Sequence, residues 1–304
     1  MKNTIRIASR QSELAMWQSN HIASLIRQKY PSISVEVIGF KTQGDIILNQ
    51  PLAEIGGKGL FIKELEQALL DGHADLAVHS MKDVPMDLPE PFKIAAIPLR
   101  EDSSDAFVST KFNSLDELPK QAIVGTSSLR RQSLLYHQKP DLQINSLRGN
   151  LQTRLKKLDD GFFDAIVLAS AGLIRLGLSE RIKERLNTST YIPAVGQGAL
   201  GIEILKDNKE LSEFLNFLND HPTEICVNTE RIISRSLAGS CTVPIGAHAM
   251  VIKDTINLKA FVASPDGNKI IFAEDSGSIN QNTLIAESVS KQLIKNGAKE
   301  VLGI

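Results

Sequence analysis

Short apolar runs alternate with segments of helical hydrophobic spacing over the first two thirds of the chain. Residues 4–8 predict a strand, and Ser12 predicts the start of the helix that follows it. Residues 61–69 carry apolar side chains at helical spacing and predict a second helix with one buried face. Further strands are predicted at residues 34–38, 76–79 and 94–97. This β-α-β-α alternation predicts an α/β domain with a largely parallel sheet.

A second α/β unit is predicted to start near Asp105. Its helices are expected after Ser128 and over residues 151–158. Its strands are expected at residues 123–125, around Ile144 and at residues 165–169. A glycine-rich connector, residues 193–199, leads to another strand at residues 201–205.

The pattern changes after residues 221 and 222. A long helix over residues 223–237 precedes three strands near residues 247–251, 256–262 and 269–273. Residues 265–267 predict the hairpin turn between the last two strands. A helix over about residues 283–296, ended by Gly297, completes the pattern and predicts a small α+β domain.

Composition and charge narrow the class of protein. The 304 residues have a formal net charge of −1 and 42% apolar residues, which excludes a disordered, collagenous or disulfide-framework chain. Balanced charge argues against a dedicated nucleic-acid binder, and the length allows about two or three domains. The longest apolar run, residues 165–174, is too short to cross a bilayer, and no signal-peptide core is found near the start. A cytoplasmic protein without a membrane partner is expected.

The two cysteines, Cys226 and Cys241, lie fifteen residues apart without a Cys-x-x-Cys pair. We therefore expect neither a structural zinc site nor a disulfide, and no metal. Cys226 lies in a helical pattern and is expected to be packed. Cys241 lies on a loop among small residues, where its thiol is either a site of covalent chemistry or an ordinary loop cysteine.

The two α/β units share a plan at one strand-to-helix junction each. Residues 7–12 and residues 124–131 both end a strand in hydroxyl residues, begin a helix and carry arginine. Free N–H groups at helix N-termini attract anions. Two such junctions facing each other across a cleft would form a two-lobed anion-binding site.

Arginines are concentrated at predicted strand ends and helix starts of the second unit. Arginine binds carboxylate or phosphate through two parallel hydrogen bonds, whereas a single arginine more often lies on a solvated helix face. Five such arginines in the second unit, together with Arg10 of the first, favour a polyanionic ligand, carboxylate-rich or phosphorylated. They are Arg10, Arg130, Arg131, Arg148, Arg154 and Arg175.

Two further segments carry candidate chemistry. Residues 56–59 are either a flap that brings Lys58 near an anion or a plain glycine turn, and they lack the spacing of a P-loop. Asp83 follows a buried strand and precedes Pro85. Its carboxylate is suited to stabilising a developing cation or moving a proton, and the alternative is an ordinary turn residue.

Seven motifs together resemble the porphobilinogen deaminase (hydroxymethylbilane synthase) family, in the family's order and over most of the chain. They are RIASRQ (residues 6–11), GGKGLF (56–61), AVHSMKDVP (77–85), GTSSLRR (125–131), SLRGN (146–150), PAVGQGA (193–199) and CTVPIG (241–246).

The resemblance implies an enzyme that condenses four porphobilinogen molecules head to tail, each with loss of ammonia. The chain grows on a dipyrromethane cofactor attached to Cys241, and hydroxymethylbilane is released by hydrolysis. Asp83 matches the family's catalytic carboxylate. The family often has Glu-Gly-Gly before this cysteine, whereas residues 238–240 are Ala-Gly-Ser here.

The resemblance also implies the residues that bind the carboxylate-bearing cofactor and substrate. They are Arg10, Ser12, Lys58, Ser80, Lys82, Thr126, Ser128, Arg130, Arg131, Arg148, Arg154 and Arg175.

The implied fold has two domains like type II periplasmic binding proteins, with mainly parallel sheets, and a small α+β C-terminal domain. The expected boundaries are 1–98 with 199–216, 104–192 and 221–304, with hinges near 99–104 and 193–199. A monomer is implied.

Two other functions are compatible with parts of the pattern. A non-catalytic two-lobed anion-binding protein would need neither Cys241 nor Asp83. A nucleic-acid binder would need aromatic side chains for stacking, but aromatic residues are only 5% of the chain.

Overall fold

The computed structural model describes residues 3–46, 62–237 and 243–303. The chain forms two compact units, Met1–Glu101 with Ala199–Glu224, and Asp102–Gly198 with Ile225–Ile304. The first is called unit 1 and the second unit 2. Lys58 and Cys241, both predicted site residues, lie outside the described residues.

The strands are β1 (Thr4–Arg10), β2 (Ser34–Phe40), β3 (Leu76–Ser80), β4 (Phe92–Ala96), β5 (Asp105–Val108), β6 (Ile123–Gly125), β7 (Gln143–Asn145), β8 (Ala165–Ala169), β9 (Glu184–Arg185), β10 (Leu200–Leu205), β11 (Ile245–Ile252), β12 (Thr255–Ala263) and β13 (Ile270–Ser278). The helices are α1 (Glu13–Lys29), α2 (Gln43–Ile46), α3 (Lys63–Leu70), α4 (Leu129–Gln138), α5 (Leu151–Asp159), α6 (Ser170–Arg175), α7 (Lys209–Leu215), α8 (His221–Ser236), α9 (Asn282–Lys295) and α10 (Ala298–Leu302).

Unit 1 is built on one sheet with strand order β2-β1-β3-β10-β4. Over the described residues, β10 is antiparallel to both of its neighbours and the other four strands run the same way. Alternating side chains divide the sheet into two faces. One face packs on α1, where Ile7 of the sheet and Ile22 of the helix share an apolar cluster. The other face packs on α3, where Ala77 of the sheet and Leu65 of the helix share another.

Unit 2 has two sheets. The first has strand order β7-β6-β8-β5-β9, and over the described residues β5 alone runs against the others. The second is the antiparallel sheet β11-β12-β13, in which Ala260 aligns with Ala247 and with Ala273. Helix α9 follows this sheet and ends at Lys295.

The fold class expected from sequence is confirmed. Two mixed, mainly parallel sheets with helices are accompanied by a small antiparallel sheet with helices. Ser12 and Ser128 are the N-caps of α1 and α4, and Gly297 has the left-handed φ of 94° that ends α9. The short helices α2, α6, α7 and α10 were not predicted, because a few turns give too little periodicity to recognise. The three-domain boundaries stay a prediction.

Across the described ranges, no helix combines the length and the apolar character needed to cross a membrane.

Candidate active site

In unit 1, five predicted site residues lie at one edge of the sheet. Strands β1 and β3 are parallel neighbours, so Arg10 at the end of β1 and Ser80 at the end of β3 reach the same edge. Ser12 begins α1 directly after β1, and its side chain accepts a hydrogen bond from the Ala15 N–H at 3.4 Å. This edge therefore combines a cationic side chain, hydroxyl groups and a helix N-terminus.

A 3₁₀ turn, Met81–Asp83, follows β3 at this edge and carries Lys82 and Asp83. Met81 is buried, and its N–H donates to the carbonyl of Ala199 at 3.0 Å. Lys82 is half-buried and the Asp83 side chain is exposed. The turn is therefore anchored by Met81, whereas the carboxylate of Asp83 faces solvent.

Gln18, which sequence analysis did not single out, helps to fix this edge. Its side chain is buried on α1, and its Nε2 donates to Ser80 Oγ at 2.9 Å. Ser80, the residue before the turn Met81–Asp83, is thus tied to α1 as well as to its own sheet. No local sequence signal could have shown this, because the two residues are 62 positions apart.

In unit 2, the predicted site residues gather at the equivalent edge of the first sheet. Strands β6, β7 and β8 are parallel, so the loops that follow them share an edge. Thr126 follows β6 and is buried, and its Oγ1 accepts from the Ser128 N–H at 3.2 Å. Ser128 caps α4, which carries Arg130 and Arg131 in its first turn.

Both arginines bind one buried carboxylate, that of Asp105. Asp105 begins the antiparallel strand β5, which places it at this same edge, and its side chain is 1% exposed. Arg130 Nη2 donates to the two carboxylate oxygens at 3.0 and 2.8 Å. Arg131 Nε donates to Oδ1 at 2.9 Å. The pair also donates to backbone carbonyls of Ile192 and Val167, at 2.7 and 3.0 Å.

The charges of this cluster do not cancel. Burial by itself raises the pKa of Asp105, but the positive charges of Arg130 and Arg131 outweigh it and lower that pKa to about 2. The carboxylate therefore stays ionised at neutral pH. Because one negative charge faces two guanidinium groups, the cluster keeps a positive excess at the edge where an anion was predicted to bind.

Three further arginines lie at the same edge of unit 2. Arg148 is half-buried in the loop after β7, and Arg154 Nε on α5 donates to the Gly149 carbonyl at 2.8 Å. Arg175 ends α6 directly after β8, is buried, and donates through Nη2 to the Gly198 carbonyl at 2.7 Å. The structure thus brings together the residues of unit 2 that were predicted to bind carboxylates.

Gln197 links the connector to this cluster. Its Nε2 donates to Asp105 Oδ1 at 3.0 Å and to the Ser103 carbonyl at 2.7 Å. The neighbouring Gly196 N–H donates to Glu230 Oε2 at 2.7 Å. Gln197 lies within one of the seven motifs, but neither Gln197 nor Asp105 was predicted to have a role. A pair of arginines in the first turn of a predicted helix is the signal that could have indicated a buried carboxylate nearby.

Cys226 is buried on α8, as its helical pattern predicted.

The chain matches two family models. Residues 5–213 match "Porphobilinogen deaminase, dipyromethane cofactor binding domain", and residues 224–295 match "Porphobilinogen deaminase, C-terminal domain".

Curated relatives agree over nearly the full length. The chain is 53% identical to the porphobilinogen deaminase of Chromobacterium violaceum over 298 residues, which cover 98% of this chain and 96% of that protein. It is 53% identical to the porphobilinogen deaminase of Methylobacillus flagellatus over 299 residues, with the same coverage of 98% and 96%. Among solved structures, the methionine binding protein MetQ is similar at 16% identity and a TM-score of 0.46, over 73% of this chain and 92% of that one.

Proposed function

This chain belongs to the porphobilinogen deaminase (hydroxymethylbilane synthase) family, and from that premise we propose which of its residues carry out the reaction. Asp83 is the catalytic carboxylate, and Cys241 is the residue to which the dipyrromethane cofactor is attached. Substrate and cofactor carboxylates are bound by the arginines, Lys58 and Lys82, with help from Ser12, Ser80, Thr126 and Ser128. A non-catalytic anion binder is not supported, because both family models describe an enzyme.

The observation that carries the proposal is the placement of Asp83. Its carboxylate is exposed at the edge of unit 1, on a turn anchored by the buried Met81 and beside Ser80. A group that is fixed in the backbone and open to solvent can reach a bound substrate without losing its position. There it can stabilise positive charge that develops as ammonia leaves, and can accept or return a proton.

The arginines of unit 2 fit the chemistry of a dipyrromethane, which carries several carboxylate groups. Asp105 balances only one of the two charges of Arg130 and Arg131, and Arg148, Arg154 and Arg175 lie at the same edge. A buried or half-buried guanidinium group binds a carboxylate more strongly than one in open water. When bound, the cofactor supplies the pyrrole carbon at which the growing chain is extended.

Mass and activity measurements test the two central assignments. The intact mass of the purified enzyme should exceed the sequence mass by that of one dipyrromethane, and Cys241→Ser should remove the excess. Cys226→Ser is the matched control and should keep it, because its thiol is buried in α8. An enzyme that turns over without any excess mass would contradict attachment to Cys241.

Asp83→Ala should lower kcat by roughly a hundredfold or more, whereas Asp83→Glu should keep part of the activity because it retains a carboxylate. Both variants should fold normally, since the side chain is exposed. Normal turnover by Asp83→Ala would remove Asp83 from the mechanism. Function as a cytoplasmic monomer stays a prediction.

A further inference from the structure

Three ionisable side chains are buried together between α3 and the sheet of unit 1. They are His79 on β3, Glu203 on β10 and Glu66 on α3, with 5, 0 and 7% of their surface exposed. Glu203 aligns with Ala77 across the β3–β10 pair, and Ala77 lies on the same face of β3 as His79. That face packs on α3, because Ala77 is in one apolar cluster with Leu65.

The hydrogen bonds of this cluster are incomplete. His79 Nε2 lies 2.8 Å from Glu203 Oε2. Among the described residues, however, Glu203 Oε1 and Glu66 Oε1 are both buried without a hydrogen-bond partner. Two ionised carboxylates buried in one cluster would be costly, whereas a proton held by Glu66 leaves only one of the two carboxylates charged.

We propose that Glu66, Glu203 and His79 form a positioning cluster, in which a proton held by Glu66 lets α3 and β10 pack against the end of β3 and so fixes the turn that carries Asp83. The proposal rests on the catalytic role proposed for Asp83. It assigns a function to a buried group that does not touch the substrate.

Electrostatics agrees with a retained proton. Burial and the charge of Glu203 raise the pKa of Glu66 to about 7, against smaller opposing effects of His79 and Lys63. Strand β1 also packs on α3, and the charged side chains it presents to this face are Arg6 and Arg10. Arg6 is bound to Asp75, with Nη2 at 3.2 Å from Oδ1.

The cluster lies close to the catalytic turn along the chain and across the sheet. His79 directly precedes Ser80 and is four residues before Asp83. Glu203 is on the strand whose Gly201 contacts Met81, since a Cβ atom at Gly201 would lie 2.3 Å from Met81 Sδ. A change in the His79–Glu203 contact would therefore be passed to the first residue of the turn.

The first test compares thermal unfolding midpoints at pH 5.5 and pH 8.5 for the wild type, Glu66→Gln and Glu213→Gln. Glu66 binds its proton more tightly in the folded state, so its stabilising contribution is lost as pH rises through about 7. Glutamine keeps a hydrogen-bond donor at every pH. Between the two pH values, the unfolding midpoint of the wild type should therefore fall by at least about 3 °C more than that of Glu66→Gln.

Glu213→Gln is the matched control, because Glu213 is an exposed carboxylate of the same unit. It should follow the wild type at both pH values. If Glu66→Gln also follows the wild type, Glu66 holds no proton and the proposal is wrong.

The second test separates positioning from simple loss of stability. His79→Ala should lower kcat by about tenfold with KM changed by less than about twofold, because the turn moves while the arginines stay in place. His79→Gln, whose amide nitrogen can occupy the place of Nε2, should restore most of kcat. If His79→Ala folds and keeps the kcat of the wild type, the positioning role is wrong. If His79→Ala does not fold, the first test still decides, because a Glu66→Gln variant with the same pH dependence of stability as the wild type overturns the proposal.

Failure of the catalytic assignment is distinguishable from failure of the cluster. Should Asp83→Ala keep full turnover, the role of Asp83 falls, whereas the pH-dependent stability difference between the wild type and Glu66→Gln remains.

Discussion

At the scale of single residues, Asp105 accounts for the burial of two arginines. Arginine is rarely buried without a partner, because removing its charge from water is costly. The carboxylate binds Arg130 through both of its oxygens, binds Arg131 through one, and accepts a further bond from Gln197. Asp105 thus holds the positive edge of unit 2 in place before any ligand arrives.

Replacing Asp105 by asparagine should destabilise the protein strongly. Asp105→Asn leaves two buried guanidinium groups without a counter-charge, so the free energy of unfolding should fall by about 3–5 kcal/mol. Urea denaturation measures this change. The control is Asp116→Asn, whose carboxylate is 94% exposed beside Lys139 and whose loss should leave stability nearly unchanged. Equal stability of the two variants would contradict the role of Asp105.

The same variant should change the response to acid. The pKa of Asp105 is lowered from 3.8 to about 2 in the folded state, so its contribution is present above pH 3.8 and is lost as pH falls towards about 2. Over this pH range, the free energy of unfolding of the wild type should therefore fall more than that of Asp105→Asn.

At the scale of elements, the turn Met81–Asp83, which is proposed to be catalytic, depends on the antiparallel pairing of β3 with β10. Ser80 aligns with Leu200, and the next residue, Met81, donates to the Ala199 carbonyl. Gly201 leaves room for the buried Met81 side chain, whose Sδ would be 2.3 Å from an added Cβ. The absence of a side chain at residue 201 is therefore required for the turn to begin where it does.

Gly201→Ala should lower activity more than the addition of a single methyl group suggests. Over-packing against Met81 should lower the free energy of unfolding by about 1–3 kcal/mol and shift the turn that carries Asp83. The expected signature is a lower kcat with KM little changed, measured by steady-state kinetics on folded protein. Gly72→Ala is the control, because Gly72 has a left-handed φ of 67° and a Cβ atom added there would meet no atom within 4 Å. This variant should be less stable than the wild type while its kcat stays unchanged.

At the scale of the whole molecule, attraction of the substrate must come from local charge. The net charge is −1 at neutral pH, so the protein as a whole does not attract anions. The positive excess is concentrated around Arg130 and Arg131 and the other arginines of that edge. Such attraction acts over short distances and is screened by salt.

Salt should therefore weaken substrate binding. Raising ionic strength from about 0.05 M to about 0.5 M should increase KM severalfold, with a smaller effect on kcat. Steady-state kinetics in sodium chloride measures this, and sucrose at the same osmolality is the control that should leave KM unchanged. A KM independent of salt would show that the arginines do not bind the substrate carboxylates.

Local patterns were enough to predict much of the fold. Apolar periodicity placed most strands and long helices, and Ser12, Ser128 and Gly297 correctly marked helix ends. These features depend on neighbouring residues, so a single sequence contains them. The motifs likewise predicted that Asp83 and the arginines lie near strand ends, and the structure places Arg10 at the end of β1 and Asp83 in the turn that follows β3.

The sequence by itself determined the order of elements, the fold class and the family, since these follow from local spacing and from motifs in a fixed order. Only the tertiary structure decided which polar groups are buried together. His79 meets Glu203 from 124 positions away, and Asp105 meets Arg131 from 26. Such pairs are selected by sheet register and by the cost of burying charge, which no local pattern encodes.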